Sequence, residues 1–294
     1  MILYKYVVPD RTDILGRGYV RFTHPRALND LSELRPAFIR LLTPEETRQH
    51  LRENPLDLAE IARSAYEESP EDVRQLFGQE GFRQFTVEAL ASREGAEAMA
   101  VFPQLVLAMM NSMTPDLRSL MHTTFDELIG VFSLSATWNN GPMWAHYAAN
   151  HTGFAIGFDS TNQFFNRRRS EHDEFYHLRQ VLYTPPPPPR SFSDLGEAAT
   201  LFLTKHPDWS YEREWRMLPP LADAALTAGA AEDPIHLFTF PTAALSSVIL
   251  GARASQDLRQ KIQVLLASKH LTHIEFSQVA VDDELGGLQL VDIS

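Results

Sequence analysis

The sequence lacks the residues and runs on which several protein classes depend. It contains no cysteine, which excludes disulfide bridges, thiol nucleophiles, cysteine-ligated zinc and iron–sulfur clusters. No run approaches the ~20 apolar residues that span a bilayer. Residues 1–6 (MILYKY) lack the basic and long apolar regions of a signal peptide. We therefore predict a soluble, cytoplasmic protein with no membrane partner.

Common phosphate-binding, nucleophile and metal signatures are also missing. Neither G-x-x-x-x-G-K, G-x-G-x-x-G nor G-x-S-x-G occurs. Nothing resembles H-E-x-x-H. His172, Asp173, Glu174 and His177 do cluster, but Arg167 to Arg169 beside them would repel a cation. We predict no metal cofactor.

Acidic residues dominate the charge of the chain. The 38 acids against 26 bases give a formal net charge of −12. A field of this sign works against long-range attraction of nucleic acid or anionic membrane. Nucleic acid is therefore an unfavoured binding partner, although it could still be the acceptor in a group-transfer reaction. An anionic small-molecule ligand requires locally placed Lys, Arg or helix N-termini.

Hydrophobic periodicity changes twice along the chain. Pro44-Glu45-Glu46 is typical of a helix start, and helical spacing continues from residue 43 to 128. Two further helices are predicted at 195–206 and 257–269. Strands are predicted at 2–8, 19–23, 130–135, 153–158, 180–183, 210–218, 236–240, 247–251, 272–281 and 288–293. Without regular βαβ alternation, this order predicts an α+β fold: one domain over 1–294, a mixed or antiparallel central sheet and a helical insertion at 43–128.

Two segments are candidate surfaces for a protein partner. Pro185 to Pro189 are five consecutive prolines, which form a stiff, extended segment. A proline-reading protein could bind this segment, and a rigid surface loop is the simpler interpretation. The helical insertion is the second candidate surface.

The most unusual stretch is residues 209–216, WSYEREWR. On a strand, Glu212, Glu214 and Arg216 would share one face. Two carboxylates this close raise the pKa of at least one of them unless a cation or hydrogen bonds intervene. The alternative is a structural role, in which Arg216 or Lys205 pairs with them.

Two other stretches offer candidate side chains. His146 follows Trp144 on a predicted short helix, where a hydrogen-bonded core histidine is the alternative to a general base. Lys5 lies mid-strand, where a snorkelling surface lysine is the alternative. Aromatic-rich segments distant in sequence tend to share a core or pocket. This tendency predicts a single neighbourhood for Trp144, His146, Tyr147, Tyr211 and Trp215.

These same residues carry a family resemblance. The chain is similar to the bacterial family known as domain of unknown function 2971, a name that carries no established activity. The similarity lies in residues 3–6, 22–30, 132–135, 143–147, 153–159, 205, 209–216 and 248–251. The family usually has Asn-Asp-Pro-Phe where Asn29-Asp30 is here followed by Leu31-Ser32, so we expect a different turn after Asp30.

The order of motifs also resembles that of ADP-ribosyltransferases. These enzymes carry a polar first-strand residue, then Ser-x-Ser, then Glu-x-Glu. The matching positions here are Lys5 (or Arg21 or His24), Ser133-Leu134-Ser135 and Glu212-Arg213-Glu214. The resemblance implies an ADP-ribosyltransferase-like fold and NAD as substrate of a glycosyl transfer or glycohydrolase reaction, in a toxin or phage-defence effector. The alternative is a non-catalytic module that binds a small ligand or a protein.

The resemblance also implies residue roles. Glu214 would stabilise an oxocarbenium-like state. Glu212 would orient or deprotonate an acceptor, and His146 is a further acid–base candidate. The candidate NAD-binding residues are Lys5, Tyr6, Arg21, Asn29, Ser133, Ser135, Trp144, Tyr147, Tyr211 and Arg216. Among these, Lys5 or Arg21 would meet the pyrophosphate, and Trp144, Tyr147 or Tyr211 would stack on nicotinamide.

Overall fold

The computed structural model describes residues 1–294 except 31–33, 35–37, 55–56, 172, 174, 186–189, 192–201, 231–232, 270, 285 and 294. The helices are α1 (Asp13–Arg17), α2 (Pro44–Glu53), α3 (Leu58–Glu68), α4 (Glu71–Ala91), α5 (Arg93–Ser112), α6 (Thr114–Leu128), α7 (Gly141–Tyr147) and α8 (Gln256–Ser268). The strands in the first half are β1 (Ile2–Val7), β2 (Tyr19–Phe22), β3 (Phe38–Arg40), β4 (Phe132–Ser135), β5 (Phe154–Asp159), β6 (Arg179–Gln180) and β7 (Leu182–Tyr183). The remaining strands are β8 (Arg190–Ser191), β9 (Thr204–Lys205), β10 (Glu214–Met217), β11 (Leu226–Ala230), β12 (Asp233–Thr239), β13 (Leu245–Leu250), β14 (Glu275–Val281) and β15 (Leu288–Asp292).

The chain divides into two compact units. One consists of Ala37–Leu120 and Pro188–Gly196. Its first long helix, α2, begins with a capping box in which Thr43 and Glu46 satisfy each other's backbone N–H groups. Within 43–128 the described residues form helices α2 to α6 and no strand. Their role as an insertion into a single domain stays a prediction.

The other unit, Met1–Pro36, Met121–Pro187 and Glu197–Ser294, contains an eight-stranded sheet. Its strand order is β15-β14-β13-β5-β1-β4-β10-β6. β13 and β14 run parallel, and the other neighbouring strands are antiparallel. The parallel pair is joined by α8, because a parallel connection needs a crossover. The α+β class with a mixed central sheet is therefore confirmed.

Both faces of this sheet are covered. Alternation along β5 sends Phe154, Ile156 and Phe158 to one buried cluster, which Ile262 of α8 joins. Ala155 packs in a second cluster with Tyr6 and Trp144. Strands buried on both faces are apolar almost throughout, which is why the sequence indicated β5 so clearly. No helix in the described part of the chain is long and apolar enough to cross a membrane.

The strand predicted at 210–218 is wrong in its first half. Residues Pro207–Glu212 form a 3₁₀ helix, Arg213 is left-handed with φ 46°, and β10 starts at Glu214. Pro207 suits the first helical position, and the His206 side chain accepts a hydrogen bond from the Asp208 N–H. These local signals outweigh the alternation of large and small residues.

The helix predicted at 195–206 also ends differently. Thr204–Lys205 forms strand β9, which pairs in parallel with β7. Residues 195–201 lie outside the described part of the chain, as do Leu31-Ser32 and the prolines at 186–189.

Candidate functional site

A cavity of about 210 Å³ lies where β1, β4 and β10 adjoin. Its lining residues are Tyr4, Lys5, Tyr6, Thr23, Ala27, Leu28, Asn29, Val131, Ser133, Leu134, Ser135, Met143, Tyr147, Lys205, Glu212 and Glu214. β4 and β10 pair over four residues, whereas β1 and β4 share a single register pair, Tyr4 with Ser135. The Lys5 ammonium crosses from β1 to β4 and donates to the Ser133 carbonyl at 3.0 Å. The three strands predicted to carry the polar motifs are therefore neighbours.

Four buried charged side chains form a connected cluster beside this cavity, which we call the ion quartet: Lys205, Glu212, Glu214 and Arg216. The Arg216 guanidinium donates to both oxygens of Glu214, each at 2.7 Å. The Lys205 ammonium lies 2.7 Å from Glu212 Oε2 and 3.2 Å from Glu214 Oε2. Each carboxylate of the quartet lies against a cation, and Asp30 adds a further negative charge near Arg216. This pairing is what makes the burial of the charges tolerable.

Burial and pairing act in opposite directions on the titration of the quartet. Burial lowers the pKa of Lys205, but the carboxylates of Glu214 and Glu212 outweigh it and raise that pKa overall. Burial raises the pKa of the Glu214 carboxyl to about 7, while Lys205 opposes the rise. The bidentate guanidinium opposes it further, so we assign Glu214 the ionised form. Burial lowers the pKa of Arg216 to about 9, which leaves it charged at neutral pH.

Tyr147 links the quartet to helix α7. Its hydroxyl donates to Glu212 Oε1 at 2.6 Å. Burial, and then the bond to Glu212, raise the pKa of Tyr147, so it remains a hydroxyl, and Asn29 hydrogen-bonds to the same side chain. The Asn140 side chain caps α7 at Met143 N–H and donates to the Tyr211 carbonyl. This cap fixes α7 against the turn that carries Glu212.

Lys5 differs from Lys205, the other lysine that lines the cavity, because no described carboxylate pairs with it. It makes no ion pair with any described residue, and it lines the cavity rather than the outer surface. Burial lowers its pKa to about 8, against the pull of Glu214 and Glu212. Arg21 is close enough for its charge to lower the same pKa. The buried Nε of Arg21 has no hydrogen-bond partner in the described chain, although Arg21 does not line the cavity.

The predicted aromatic neighbourhood holds for four of its five members. Tyr147 and Tyr211 pack with buried Trp144, and the His146 ring lies 6.4 Å from that of Tyr211. Trp215 packs in the other cluster, because alternation along β10 turns it away from Glu214. His146 is exposed, and neither it nor Trp144, Tyr211 or Arg216 lines the cavity.

The remaining predicted residues hold the local backbone. The Ser135 hydroxyl donates to the Glu212 carbonyl at 2.6 Å, and the Tyr6 hydroxyl donates to the Thr137 carbonyl at 2.8 Å. Ser133 hydrogen-bonds to the Glu214 side chain. Trp144 is fully buried, with its indole N–H donating to the Trp138 carbonyl.

Some residues of the site were not predicted as functional. Lys205 was predicted as a structural partner of the glutamates and as part of the family similarity, but not as a site residue. A lysine after Phe202-Leu203-Thr204 in an apolar context was the available signal. Tyr183, whose hydroxyl accepts from the Glu214 N–H at 2.7 Å, carried no such signal. Among the described residues, no group of three or more His, Asp or Glu could hold a metal ion. His172 and Glu174 lie outside those residues.

Comparison with known proteins gives a family match for part of the chain. The family described as Protein of unknown function (DUF2971) matches residues 143–217. The matched segment runs from α7 to the end of β10 and includes Tyr147 and the whole ion quartet. No curated protein and no solved structure matches the chain.

Proposed function

We propose that this chain, a relative of the DUF2971 family, cleaves the nicotinamide–ribose bond of NAD in the cavity beside the ion quartet. The observation that carries the proposal is the adjacency of β1, β4 and β10, which brings Lys5, Ser133 and the Glu212/Glu214 pair around one cavity. Each of these residues comes from a separate motif. Among them Lys5 is the residue that packing alone explains least, since lysine is rarely buried without an ion-pair partner and Lys5 has none among the described residues.

The chemistry requires a carboxylate and an acceptor. The C–N bond to nicotinamide breaks, and its electron pair neutralises the pyridinium nitrogen. The ribose carbon passes through an oxocarbenium-like state, which a fixed carboxylate stabilises. The oxygen of water or of an acceptor hydroxyl then bonds to this carbon, and its proton passes to a carboxylate acting as general base. Water gives a glycohydrolase, and another acceptor gives an ADP-ribosyltransferase.

Charge around the cavity supports an anionic ligand. Lys5 has no ion-pair partner among the described residues, and Arg21 adds a second nearby positive charge. A bound pyrophosphate would give these positive charges an anionic partner. The modest cavity volume suits one end of a dinucleotide, with the remainder extending towards solvent.

The second candidate function is a non-catalytic module for a small anionic ligand. It is favoured by the ion pairs that hold both carboxylates of the quartet. In that case the same cavity binds a ligand and leaves it intact. A toxin or phage-defence role belongs to the catalytic proposal.

Incubation with NAD separates the two. Chromatography should detect nicotinamide, together with an equal amount of free ADP-ribose where water is the acceptor. Lys5→Met should weaken NAD binding at least about tenfold through loss of a charge-assisted contact. Lys261→Met, which removes an exposed lysine of α8, is the matched control and should behave like the wild type. Binding of NAD without nicotinamide release would favour the non-catalytic module.

A further inference from the structure

The two carboxylates of the quartet differ in how many hydrogen bonds they can still accept. A carboxylate offers about four acceptor positions. Glu214 receives two bonds from Arg216, one from Lys205 and one from Ser133. Its acceptor positions are filled by the protein.

The Glu212 carboxylate can still accept further hydrogen bonds. Its Oε1 accepts from the Tyr147 hydroxyl and its Oε2 from Lys205. Within the described part of the chain no other donor bonds to this carboxylate, so each oxygen keeps one acceptor position, and Glu212 lines the cavity.

The backbone explains why Arg216 bonds to Glu214 and not to Glu212. Glu212 ends the 3₁₀ helix and Glu214 begins β10, with left-handed Arg213 between them. The two side chains therefore approach Lys205 from separate elements. Glu214 shares a strand face with Arg216, and Glu212 is free of that guanidinium.

We infer that Glu212 is the catalytic carboxylate, which accepts the hydrogen bond and then the proton of the attacking water or hydroxyl. Glu214 is a positioning residue that holds Arg216 and Lys205 in place. The inference rests on the proposed function for the identity of the reaction. It keeps for Glu212 the acceptor-side role that the motif resemblance implies, and it replaces the role implied for Glu214, stabilisation of the oxocarbenium-like state, with a positioning role.

Three substitutions of one kind test this assignment. Glu212→Gln should lower nicotinamide release at least about 100-fold, the scale of a lost general base, with a smaller loss of melting temperature, because Lys205 keeps Glu214 as a carboxylate partner. Glu214→Gln should lower the melting temperature much more, because Arg216 loses its bidentate partner. Glu60→Gln, at an exposed pair with Arg63 on α3, should change neither rate nor melting temperature.

Each contrary result has a distinct meaning. A folded Glu212→Gln variant that releases nicotinamide at the wild-type rate overturns the inference alone. So does a Glu214→Gln variant with unchanged melting temperature and no release. No release by the wild type overturns the proposed function, and the inference fails with it. If Glu212→Gln does not fold, Glu212→Asp keeps the charge for Lys205 while withdrawing the carboxylate, and it should show the same loss of release.

Discussion

At the scale of single residues, the charges around the cavity fall into two kinds. The members of the quartet form ion pairs with one another, and these pairs chiefly fix their positions. Lys5 is different, because its only hydrogen-bond acceptor in the described chain is a backbone carbonyl. A cation in that position is available to an anionic ligand.

Lys5 therefore predicts a pH dependence of NAD binding. Its pKa is lowered to about 8 by burial. The charged form prevails below that pH, so affinity should be full there and fall as pH rises through 8. If only the charged form binds, the apparent Kd should increase up to about tenfold per pH unit above the pKa. Calorimetric titration across this range measures the effect.

The control for this pH dependence is Lys5→Arg. A guanidinium stays charged throughout the range, so the affinity of this variant should be nearly constant. A parallel fall in affinity for Lys5→Arg and the wild type would assign the titration to another group.

At the scale of elements, much of the sheet was predictable and the quartet geometry was not. β1, β5 and β13 are apolar runs with turn residues at their ends, and the structure has them within a few residues of the predicted bounds. The segment 180–183 is instead divided, with β6 pairing to β10 and β7 to β9. Division of this kind depends on distant strands, which local pattern does not encode.

The convergence of Glu212 and Glu214 on Lys205 was beyond sequence pattern for a related reason. Strand alternation predicted that Glu212 and Glu214 lie side by side, but in the structure they lie on different elements and meet at Lys205. The observed approach requires a positive φ at Arg213, a conformation that arginine rarely adopts. β11 was missed altogether, because its exposed LTAGA sequence lacks the apolar alternation of a core strand.

Gly153, a few residues after α7, lies where the neighbouring backbone leaves no room for a side chain. An added Cβ would lie 2.1 Å from the Val7 carbonyl oxygen, so Gly153→Ala must displace β1 or the preceding loop. We expect a loss of about 1–3 kcal/mol in the free energy of unfolding, as for overpacking in a core. Urea denaturation measures it.

The matched control is Gly81→Ala inside α4, where an added Cβ meets nothing within 4 Å. This change should be neutral or stabilise by up to about 1 kcal/mol, since alanine is the better helix former. Equal effects of the two substitutions would show that crowding at Val7 is not the cause.

At the scale of the whole molecule, a net charge of −12 coexists with a cavity-lining lysine, Lys5, that makes no ion pair with a described residue. The overall field slows the approach of anions, and the attraction of a single lysine acts only at short range. Low salt should therefore not accelerate ligand association, unlike in proteins that steer anions from a distance.

The proposed activity predicts an effect on living cells. Expression of the wild-type chain in bacteria should lower the cellular NAD pool, because cleaved NAD is lost as nicotinamide. Glu212→Gln should leave the pool intact, and Glu60→Gln should lower it like the wild type. An unchanged pool in cells that contain folded wild-type protein would contradict the prediction.

The charge balance of the quartet also limits how these positions vary among related sequences. Removing Glu214 alone takes the bidentate partner from a buried guanidinium, whereas replacing Glu214 and Arg216 together by apolar residues of similar volume removes this ion pair as a unit. Substitution of Glu214 or Arg216 alone should therefore be tolerated least, and related sequences should keep both residues or replace both. Among relatives, correlated substitution at 214 and 216 would mark chains in which the cavity has been put to another use.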